Sequence, residues 1–257
     1  MKIHKTAIVD PKAKLGKNVE VGPYSTIGPN VTIGLGTKIG QACRLEGFTS
    51  IGKNCQIFTG AVIGSPPQDL KFKKGMKSFI KIGDNNVIRE YVTINPGTGE
   101  GETTVIGNDN LLMAYSHVAH NCRIGNGVIM ANVATLAGHV ILEDKVVIGG
   151  LGGIHQFVRV GTLSIIGGCS KAAQDILPYY LYDGQRATPR GLNIIGLKRA
   201  GVSLEVRENL KKSFKLLLNS GLSIPNALKK IKEEVPPGKE IAHLLEFVRA
   251  SKRGIAR

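Results

Sequence analysis

Tryptophan is absent from the sequence, and seven Phe and six Tyr bring the aromatic share to only 5% of 257 residues. This scarcity argues against a core built on aromatic packing, while a hydrophobic share of 42% argues against general disorder. Acidic side chains are also few, since 19 Asp and Glu stand against 34 Lys and Arg, for a net charge of +15. The surplus of positive charge indicates an anionic partner, such as a nucleic acid, an acidic protein, a phosphorylated substrate or a membrane surface.

Long apolar runs are missing as well. The uncharged stretch at residues 124–142 is interrupted by Gly, Asn and His, which makes it too polar for a membrane span. The first ten residues, MKIHKTAIVD, contain no apolar segment of the kind that a secretory signal needs. The four cysteines lie far apart without CxxC spacing, which argues against a disulfide framework and a zinc knuckle. We therefore expect a cytoplasmic protein with no membrane span.

A six-residue repeat fills two thirds of the chain. Steps of six residues find an aliphatic residue or Met at 24 positions, from Val9 to Ile63, from Ile82 to Ile94 and from Ile106 to Ile166. The next residue is Gly at 13 of these positions. A period of six fits neither an α-helix nor a half-buried strand, but it is the hexapeptide signature of a parallel β-helix. We attribute the glycines to corners where the backbone adopts conformations that a Cβ atom disfavours.

The repeat predicts an all-β fold over residues 1–172, a left-handed parallel β-helix in which three hexads form one triangular coil. Two segments interrupt the repeat. Residues 65–81 contain paired prolines and a basic tract, and residues 96–104 are rich in Gly and Glu. Because long excursions from a rigid scaffold often carry function, we expect both loops to contribute to a site.

The hexads stop after Ala172, and a helical period follows. Residues 173–257 are predicted to form a small α-helical C-terminal domain, with helices that begin after Ser203, at Ser223 and near Lys239. This segment contains 16 Lys and Arg against 8 Asp and Glu. It therefore holds about half of the net charge, which favours either a solvated helical surface or the docking of an acidic partner.

Four of the six histidines lie close together in the sequence: His117, His120, His139 and His155. Since one coil has 18 residues, His120, the Gly138–His139 pair and the His155–Gln156 pair are expected to stack along one flank. Imidazoles in such a row could hold Zn²⁺, as in the gamma-class carbonic anhydrases. Alternatively, one His could act as the general base of a metal-free acyl transfer, with a backbone N–H stabilising the oxyanion. The periodicity does not separate these interpretations.

The local sequence favours acyl transfer. The tracts that carry a family resemblance are SPPQDLKF (65–72), GNDNLLM (107–113), SHVAHNC (116–122), ANVATLAGHV (131–140), GGIHQFVRVG (152–161), GGCSKAAQD (167–175) and GLNIIGLKRAG (191–201). Together they closely resemble the UDP-N-acetylglucosamine O-acyltransferases that open lipid A biosynthesis. The resemblance extends over essentially the whole chain, including the C-terminal helices.

This resemblance implies a function for individual residues. His120 matches the general base that takes the proton from the glucosamine 3-hydroxyl, whose oxygen attacks the thioester of a 3-hydroxyacyl chain on acyl carrier protein. The N–H of Gly138 matches the oxyanion donor. Gly168 matches the acyl-length gauge, where Gly leaves the groove open for longer chains. The residues that match substrate contacts are Gln68, Asp69, Lys71, His117, His139, His155, Gln156, Asn193 and Arg199.

Three positions depart from the family pattern. Asn121 follows the expected base where relatives carry Asp, and this leaves open what orients His120. Ile195 stands in place of a Glu, and Ala200 in place of a second basic residue. The last two changes affect the expected uridine and phosphate contacts rather than the acyl-transfer centre.

The resemblance also implies a homotrimer with active sites between subunits, since a threefold ring covers the flat faces of the coils. The expected partners are acyl carrier protein and UDP-N-acetylglucosamine, with no nucleic acid, no bound metal and no cofactor beyond the phosphopantetheine that carries the acyl donor. The alternatives are a zinc lyase of the carbonic anhydrase type and another hexapeptide sugar N-acyltransferase. The N-acyltransferase of the same pathway carries an extra N-terminal domain, for which hexads that begin at Val9 leave no room.

Overall fold

The computed structural model describes residues 1–73 and 75–257 and is dominated by very short strands. The strands are β1 (Lys2–Ile3), β2 (Ile8–Val9), β3 (Lys14–Leu15), β4 (Glu20–Val21), β5 (Thr26–Ile27), β6 (Thr32–Ile33), β7 (Lys38–Ile39), β8 (Arg44–Leu45), β9 (Phe48–Ile51), β10 (Gln56–Ile57), β11 (Val62–Ile63), β12 (Phe79–Ile82), β13 (Val87–Ile88), β14 (Thr93–Ile94), β15 (Thr103–Ile106), β16 (Leu111–Leu112), β17 (His117–Val118), β18 (Arg123–Ile124), β19 (Ile129–Met130), β20 (Thr135–Leu136), β21 (Ile141–Leu142), β22 (Val147–Ile148), β23 (Gly153–Ile154), β24 (Arg159–Val160), β25 (Ile165–Ile166), β26 (Lys171–Ala172), β27 (Tyr180–Asp183) and β28 (Thr188–Leu192). The helices are α1 (Ile194–Arg199), α2 (Leu204–Leu218), α3 (Ile224–Glu234) and α4 (Lys239–Arg249).

Each coil strand pairs in parallel with the strand three places further along the chain. One sheet contains β1, β4, β7 and so on to β25, a second contains β2 to β26 in the same steps, and a third contains β3 to β24. Three strands therefore make one turn, and successive turns stack as three flat faces. This arrangement confirms the predicted left-handed parallel β-helix.

The hexad residues form the core of this coil. Every strand from β2 to β25 ends at one of the 24 predicted aliphatic positions, and all of these residues except Val9 and Leu15 are buried. The two exceptions lie in the first coil, which has no coil beneath it to cover its open end. Ile3 and Ala172, each six residues beyond the first or last predicted hexad position, also end strands, so the coil extends slightly beyond the predicted hexads.

The predicted reason for the corner glycines is wrong. Gly34 is typical of the glycines that follow the hexad residue and does not have a positive φ, but a Cβ atom on it would lie 2.5 Å from the carbonyl oxygen of Gly52. Positive φ values occur at other corner positions, such as Asn18 (φ 58°) and Lys145 (φ 57°), and among the glycines that follow a hexad residue only at Gly64 (φ 97°). At most of these positions glycine is therefore required by close approach of the next coil rather than by backbone conformation.

Both predicted excursions leave the coil, with boundaries that differ slightly from those expected. The first loop joins β11 to β12 and the second joins β14 to β15. Phe79–Ile82 and Thr103–Ile106 are four-residue strands that pair with each other, so the loops end a few residues earlier than the sequence indicated. Residues 79–81 and 103–104 belong to strands rather than loops because their backbone continues the parallel ladder of hydrogen bonds. Lys74, within the first predicted excursion, lies outside the described residues.

The C-terminal region contains the three predicted helices and two elements that the sequence did not predict. The Ser203 hydroxyl caps α2 by accepting the Val206 N–H at 3.3 Å, as expected for its N-cap position. The segment between Ala172 and Asn193 was included in the predicted α-helical domain, without strands. It contains instead an antiparallel hairpin of β27 and β28, whose first strand pairs with β25, and α1 follows at once. A domain boundary at residues 172–173 therefore stays a prediction.

Polar contacts join the helices to the coil. The imidazole of His243 in α4 lies 3.0 Å from the Glu143 carboxylate and 2.7 Å from the Tyr179 hydroxyl. The Arg159 guanidinium lies over the Phe247 ring, 4.4 Å from its centroid. Among residues 1–73 and 75–257, no helix has the length and apolar character needed to cross a lipid bilayer.

Candidate active site

His120 lies at a corner of the coil, just after β17, and is only 8% exposed. Its Nδ1 atom lies 2.9 Å from Oδ1 of Asn121. Asn121 has a positive φ of 62°, which turns its side chain back toward the imidazole. The residue that replaces the expected Asp therefore still contacts the histidine through an amide oxygen.

The hydrogen bonds of the Asn121 amide define the tautomer of the neutral His120 ring. The Thr98 N–H, which can only donate, points at Oδ1 of Asn121 over 3.1 Å, so this atom is the carbonyl oxygen. An oxygen without a proton requires a donor at Nδ1 of His120. The proton of the neutral imidazole is then on Nδ1, and the lone pair on Nε2 is available to a substrate.

Asp69 comes from the first loop and faces this lone pair. Its Oδ2 lies 3.5 Å from His120 Nε2, and its Oδ1 accepts the backbone N–H of Lys71 at 2.8 Å. The side chains of Gln68 and Lys71 flank Asp69 and are exposed. The structure therefore brings Asp69 to the histidine and leaves its two predicted neighbours on the surface of the loop.

Gly138 lies against the other side of the His120 ring. A Cβ atom at this position would overlap the imidazole atoms Cε1 and Nε2. In the described part of the chain, the Gly138 N–H donates to no protein acceptor, whereas the N–H groups of Ala137 and His139 are both paired. An unpaired N–H therefore lies next to the nitrogen that carries the free lone pair.

His139 and His117 flank His120. The ring of His139 meets His120 edge to face with centroids 5.2 Å apart, and it stacks on Phe157 at 4.7 Å. Nδ1 of His117 lies 2.7 Å from the Thr93 hydroxyl. Burial, and second the charge that His120 can carry, lowers the pKa of both His117 and His139. Both rings are therefore biased toward the neutral form, which can donate and accept.

The expected stacking on one flank holds for the backbone, because the His139 N–H donates to the His120 carbonyl and the Phe157 N–H to the Gly138 carbonyl, but the ring of His155 lies in a different groove from that of His139. His155 is exposed and its Nδ1–H donates to the Gln156 carbonyl at 3.1 Å. It lines a groove of about 420 Å³ with Leu151 and Lys171, whereas His139 lines a different cleft of about 540 Å³. The two side chains are separated because His139 lies within a corner of its coil, whereas His155 lies just before the corresponding corner of the next coil.

The 540 Å³ cleft is basic. Its lining includes Asn121, Arg123, His139, Phe157, Arg159 and Arg253. Three guanidinium groups and one aromatic ring in one cleft suit an anionic ligand with an apolar or planar part. The cleft therefore offers a binding surface directly beside His120.

Asn193 and Arg199 lie at the two ends of α1, after the hairpin. The Asn193 amide is buried, where it accepts the Gly196 N–H at 2.9 Å and donates to the Leu163 carbonyl at 2.8 Å. Arg199 is exposed. Among the described residues, no hydrogen bond or ion pair joins either side chain to His120, so one chain alone does not assemble them with the histidine pair.

Gly168 lies at a corner next to the exposed Cys169, which lines the same groove as His155. A Cβ atom on Gly168 would lie 3.3 Å from the Gly150 carbonyl oxygen, which is tight but less severe than at Gly34. A larger side chain here therefore requires only a small shift of the neighbouring backbone.

Sequence analysis missed three residues of this site. Thr98 and Glu102 belong to the second loop, where Glu102 accepts the Asn121 amide at 2.7 Å, and Phe157 stacks on His139. The loop itself was singled out, but its register against Asn121 depends on where the coil resumes. Phe157 follows the predicted Gln156 and could have been found by adding one coil length to His139.

The described residues do not gather the side chains that a metal site needs. Within residues 1–73 and 75–257, no group of three His, Cys, Asp or Glu side chains is gathered in an arrangement that could hold a metal ion. The contacts of His120 are instead with Asn121 and Asp69, an arrangement suited to proton transfer.

Two family models match the chain. Residues 175–256 match the model of domain 2 of the UDP-N-acetylglucosamine O-acyltransferases, and residues 1–35 and 103–138 match the bacterial transferase hexapeptide model. The acyl-[acyl-carrier-protein]–UDP-N-acetylglucosamine O-acyltransferase of Thermodesulfovibrio yellowstonii is 53% identical over 99% of both chains. That of Janthinobacterium is 49% identical over 99% of both chains.

Solved structures agree with these relatives. The UDP-N-acetylglucosamine acyltransferase from Bacteroides fragilis superposes with a TM-score of 0.96 at 44% identity and covers 99% of both chains. The structure of the Acinetobacter baumannii protein gives a TM-score of 0.95 at 42% identity, with the same coverage. Coil, loops and helices are thus shared from end to end, and the chain belongs to the UDP-N-acetylglucosamine O-acyltransferase family.

Proposed function

We propose that this protein transfers a 3-hydroxyacyl chain from acyl carrier protein to the glucosamine 3-position of UDP-N-acetylglucosamine, the first step of lipid A biosynthesis. The observation that carries the mechanism is the arrangement of His120, whose Nδ1 faces an amide oxygen and whose Nε2 faces Asp69 and Gly138. The names of the full-length relatives support the donor and the acceptor.

His120 acts as general base in this mechanism. Its Nε2 takes the proton of the 3-hydroxyl, and the sugar oxygen attacks the thioester carbonyl to form a tetrahedral intermediate. The intermediate collapses with cleavage of the carbon–sulfur bond, and the proton on Nε2 goes to the departing phosphopantetheine thiolate. The free N–H of Gly138 donates to the oxyanion in the intermediate.

Asp69 and the flanking histidines support this step. The Asp69 carboxylate, 3.5 Å from Nε2, stabilises the imidazolium that forms when His120 takes the proton. Neutral His117 and His139 are suited to hydrogen bonds with the sugar or the thioester arm. The remaining substrate contacts are proposed for Gln68, Lys71, His155, Gln156, Asn193 and Arg199, with Gly168 as the acyl-length gauge.

A homotrimer with active sites between subunits belongs to the same proposal. Exposed apolar side chains recur along one corner of the coil, where Tyr91 and Tyr115 stack at 5.1 Å and Val133 and Leu151 follow on the next coils. Apolar surface of this extent favours burial against another chain. A neighbouring subunit would also explain why Asn193 and Arg199 do not meet His120 within one chain.

Acyl carrier protein is proposed to dock on the basic C-terminal helices. A groove of about 690 Å³ there is lined by Leu204, Phe214, Arg207, Lys211 and Lys215, which combine apolar surface with positive charge. This combination suits an acidic protein that delivers an acyl chain. We propose that the reaction needs no cofactor beyond the phosphopantetheine that carries the acyl group on this donor. A cytoplasmic location stays a prediction.

The experiment compares acyl transfer by chelator-treated wild type and His120→Ala, with UDP-N-acetylglucosamine and a panel of 3-hydroxyacyl carrier proteins. We expect metal-independent transfer that falls by a factor on the order of 10² or more in the variant, as for loss of a general base. Absence of transfer with every donor, or activity that returns only with Zn²⁺, would refute the proposal and revive the zinc-lyase alternative. Sedimentation of the same samples tests the trimer.

A further inference from the structure

We propose that Glu102 is a positioning residue for the general base, acting on His120 through the amide of Asn121. The inference rests on the proposed function of His120 and adds a residue outside the predicted site. It answers the question of what orients His120 when its neighbour is Asn121. The amide of Asn121 lies between the Glu102 carboxylate and the imidazole and connects the two through hydrogen bonds.

Two N–H donors converge on one oxygen of Glu102. Its Oε2 accepts Nδ2–H of Asn121 at 2.7 Å and the backbone N–H of Gly99 at 2.8 Å, and the Thr98 hydroxyl lies within reach of both this oxygen (3.4 Å) and Asn121 Oδ1 (3.2 Å). An ionised carboxylate can only accept, so it selects the NH₂ end of the Asn121 amide. The oxygen end is thereby turned toward His120.

The second loop is built so that this contact forms. It leaves the coil after β14 and returns at Thr103 in β15, which places Glu102 above the corner that carries Asn121. The Asn121 backbone is held from the same strand, because its N–H donates to the Thr104 hydroxyl at 2.8 Å. The Thr98 N–H supplies a second donor to Oδ1. The hydrogen bonds that hold the second loop therefore also fix the orientation of the Asn121 amide.

The charge state of Glu102 agrees with this arrangement. The hydrogen bond from Asn121, and then that from the Gly99 N–H, lowers the pKa of the Glu102 carboxyl. The carboxylate is therefore ionised throughout the range in which a histidine base titrates. A hydrogen bond to an anion also polarises the amide, which strengthens its oxygen as an acceptor for the His120 Nδ1–H.

Four titratable groups can influence the charge of His120. Asp69 of the first loop faces Nε2, and Glu102 of the second loop acts through Asn121. His139 of the next coil contacts the edge of the ring, and His117 precedes His120 on β17. Both carboxylates favour the imidazolium, and both neighbouring histidines oppose it when protonated. Removal of the Glu102 charge therefore weakens the stabilisation of the imidazolium that forms when His120 takes a proton.

The test uses the full-length protein with Glu102→Gln, Glu102→Ala and the control Glu100→Gln. Glu100 lies in the same loop, but its carboxylate accepts the Lys77 N–H and does not contact Asn121. Glutamine keeps an acceptor for the amide and loses the charge, whereas alanine loses both. The readouts are kcat, KM, the pH profile of kcat/KM and the ¹⁵N chemical shifts of the His120 ring.

For Glu102→Gln we expect the acid limb of kcat/KM to move down by about half a pH unit, since a nearby anion is lost, with kcat reduced only a few-fold. For Glu102→Ala we expect kcat to fall about 10- to 100-fold with little change in KM, because the base is present but disordered. Its His120 ring should show a mixture of tautomers, while wild type and Glu100→Gln show the Nδ1–H form.

An unchanged acid limb in Glu102→Gln, together with a wild-type tautomer in Glu102→Ala, would refute the role of Glu102. This result is separable from failure of the proposed function. If wild type transfers no acyl chain, the ring shifts still report whether Glu102 controls the tautomer of His120. If wild type is active and the shifts do not respond, only the inference about Glu102 fails.

Discussion

Nε2 of His120 lies 3.5 Å from Oδ2 of Asp69, a residue that reaches the coil from the loop between β11 and β12. The other ring nitrogen is occupied by Asn121, so the histidine is held between an amide on one side and a carboxylate on the other. A substrate hydroxyl that lies beside this pair, within hydrogen-bond reach of both Nε2 and the carboxylate, can give its proton to Nε2 while it remains close to an anion. The geometry therefore links proton transfer to binding at this loop.

Asp69→Asn is expected to separate the contribution of the Asp69 charge to proton transfer from the contribution of this side chain to binding. The amide preserves the size of the side chain but removes the charge that stabilises the imidazolium, so kcat should fall about tenfold or more. The acid limb of kcat/KM should move to lower pH, because loss of a neighbouring anion lowers the pKa of a histidine. A pH–rate profile of the purified variant checks both effects, and an unshifted limb with full kcat would contradict them.

Gly138→Ala should inactivate the enzyme without unfolding it. The new methyl group would occupy the space of the His120 ring, so the imidazole must leave its place or tilt away from Asn121. We expect kcat to fall on the order of 10²-fold, as for a misplaced base. The control is Gly238→Ala, where a Cβ meets no atom within 4 Å. Equal activity of the two variants would show that the position of the ring is not critical.

Gly34→Ala tests the explanation of the corner glycines. Its Cβ would lie 2.5 Å from the Gly52 carbonyl oxygen, so neighbouring coils must separate, at a cost of about 1–3 kcal/mol in the free energy of unfolding. Lys145→Gly places glycine at an exposed corner with φ 57° and should change the free energy of unfolding by less than about 1 kcal/mol. Denaturant titration measures both. The reverse order of effects would restore backbone conformation as the cause.

The Glu143–His243 contact predicts a pH-dependent stability of the helical region. Burial alone would raise the pKa of Glu143, but hydrogen bonds from His243 and Thr162 outweigh it, so the folded-state pKa lies below its usual value. A depressed carboxyl pKa contributes stability above the unfolded value of about 4.3, and this stability is lost as pH falls through the folded value. Glu143→Gln should therefore lower the melting temperature at pH 7 and have progressively less effect below pH 4. An equal effect at both pH values would exclude the linkage.

The coil could be predicted from the sequence because its rule is local. Each hexad residue, such as Ile33 or Val118, lies at the end of a strand simply because six residues make one side of the triangle. The hairpin of β27 and β28 could not be predicted in this way. Its first strand forms because β25 presents an unpaired edge, and that edge exists only once the coil is complete.

The candidate site likewise contains residues that could be predicted from the sequence and residues that could not. His120, Gly138 and Asp69 were expected from motif resemblance, and the structure brings them together. Glu102 carried no motif, and nothing in a Gly-rich loop indicates which of its two acidic residues faces the coil. The predicted stacking holds for His120 and His139, but the side chain of His155 lines a different cleft, because a repeat of 18 residues fixes the coil position of a residue and not the direction of its side chain.

The sequence by itself determined the fold and the family and indicated His120 as the proposed base, because hexad spacing and motif order are written along the chain. Only the tertiary structure decided the tautomer of the neutral His120 ring. The proton on Nδ1 of His120 follows from the orientation of one amide, which is set by Thr98 and Glu102 from a loop that the coil brings back to Asn121. Hydrogen bonds between segments that are distant in sequence depend on distances of a few tenths of an ångström, and these exist only in the folded coil.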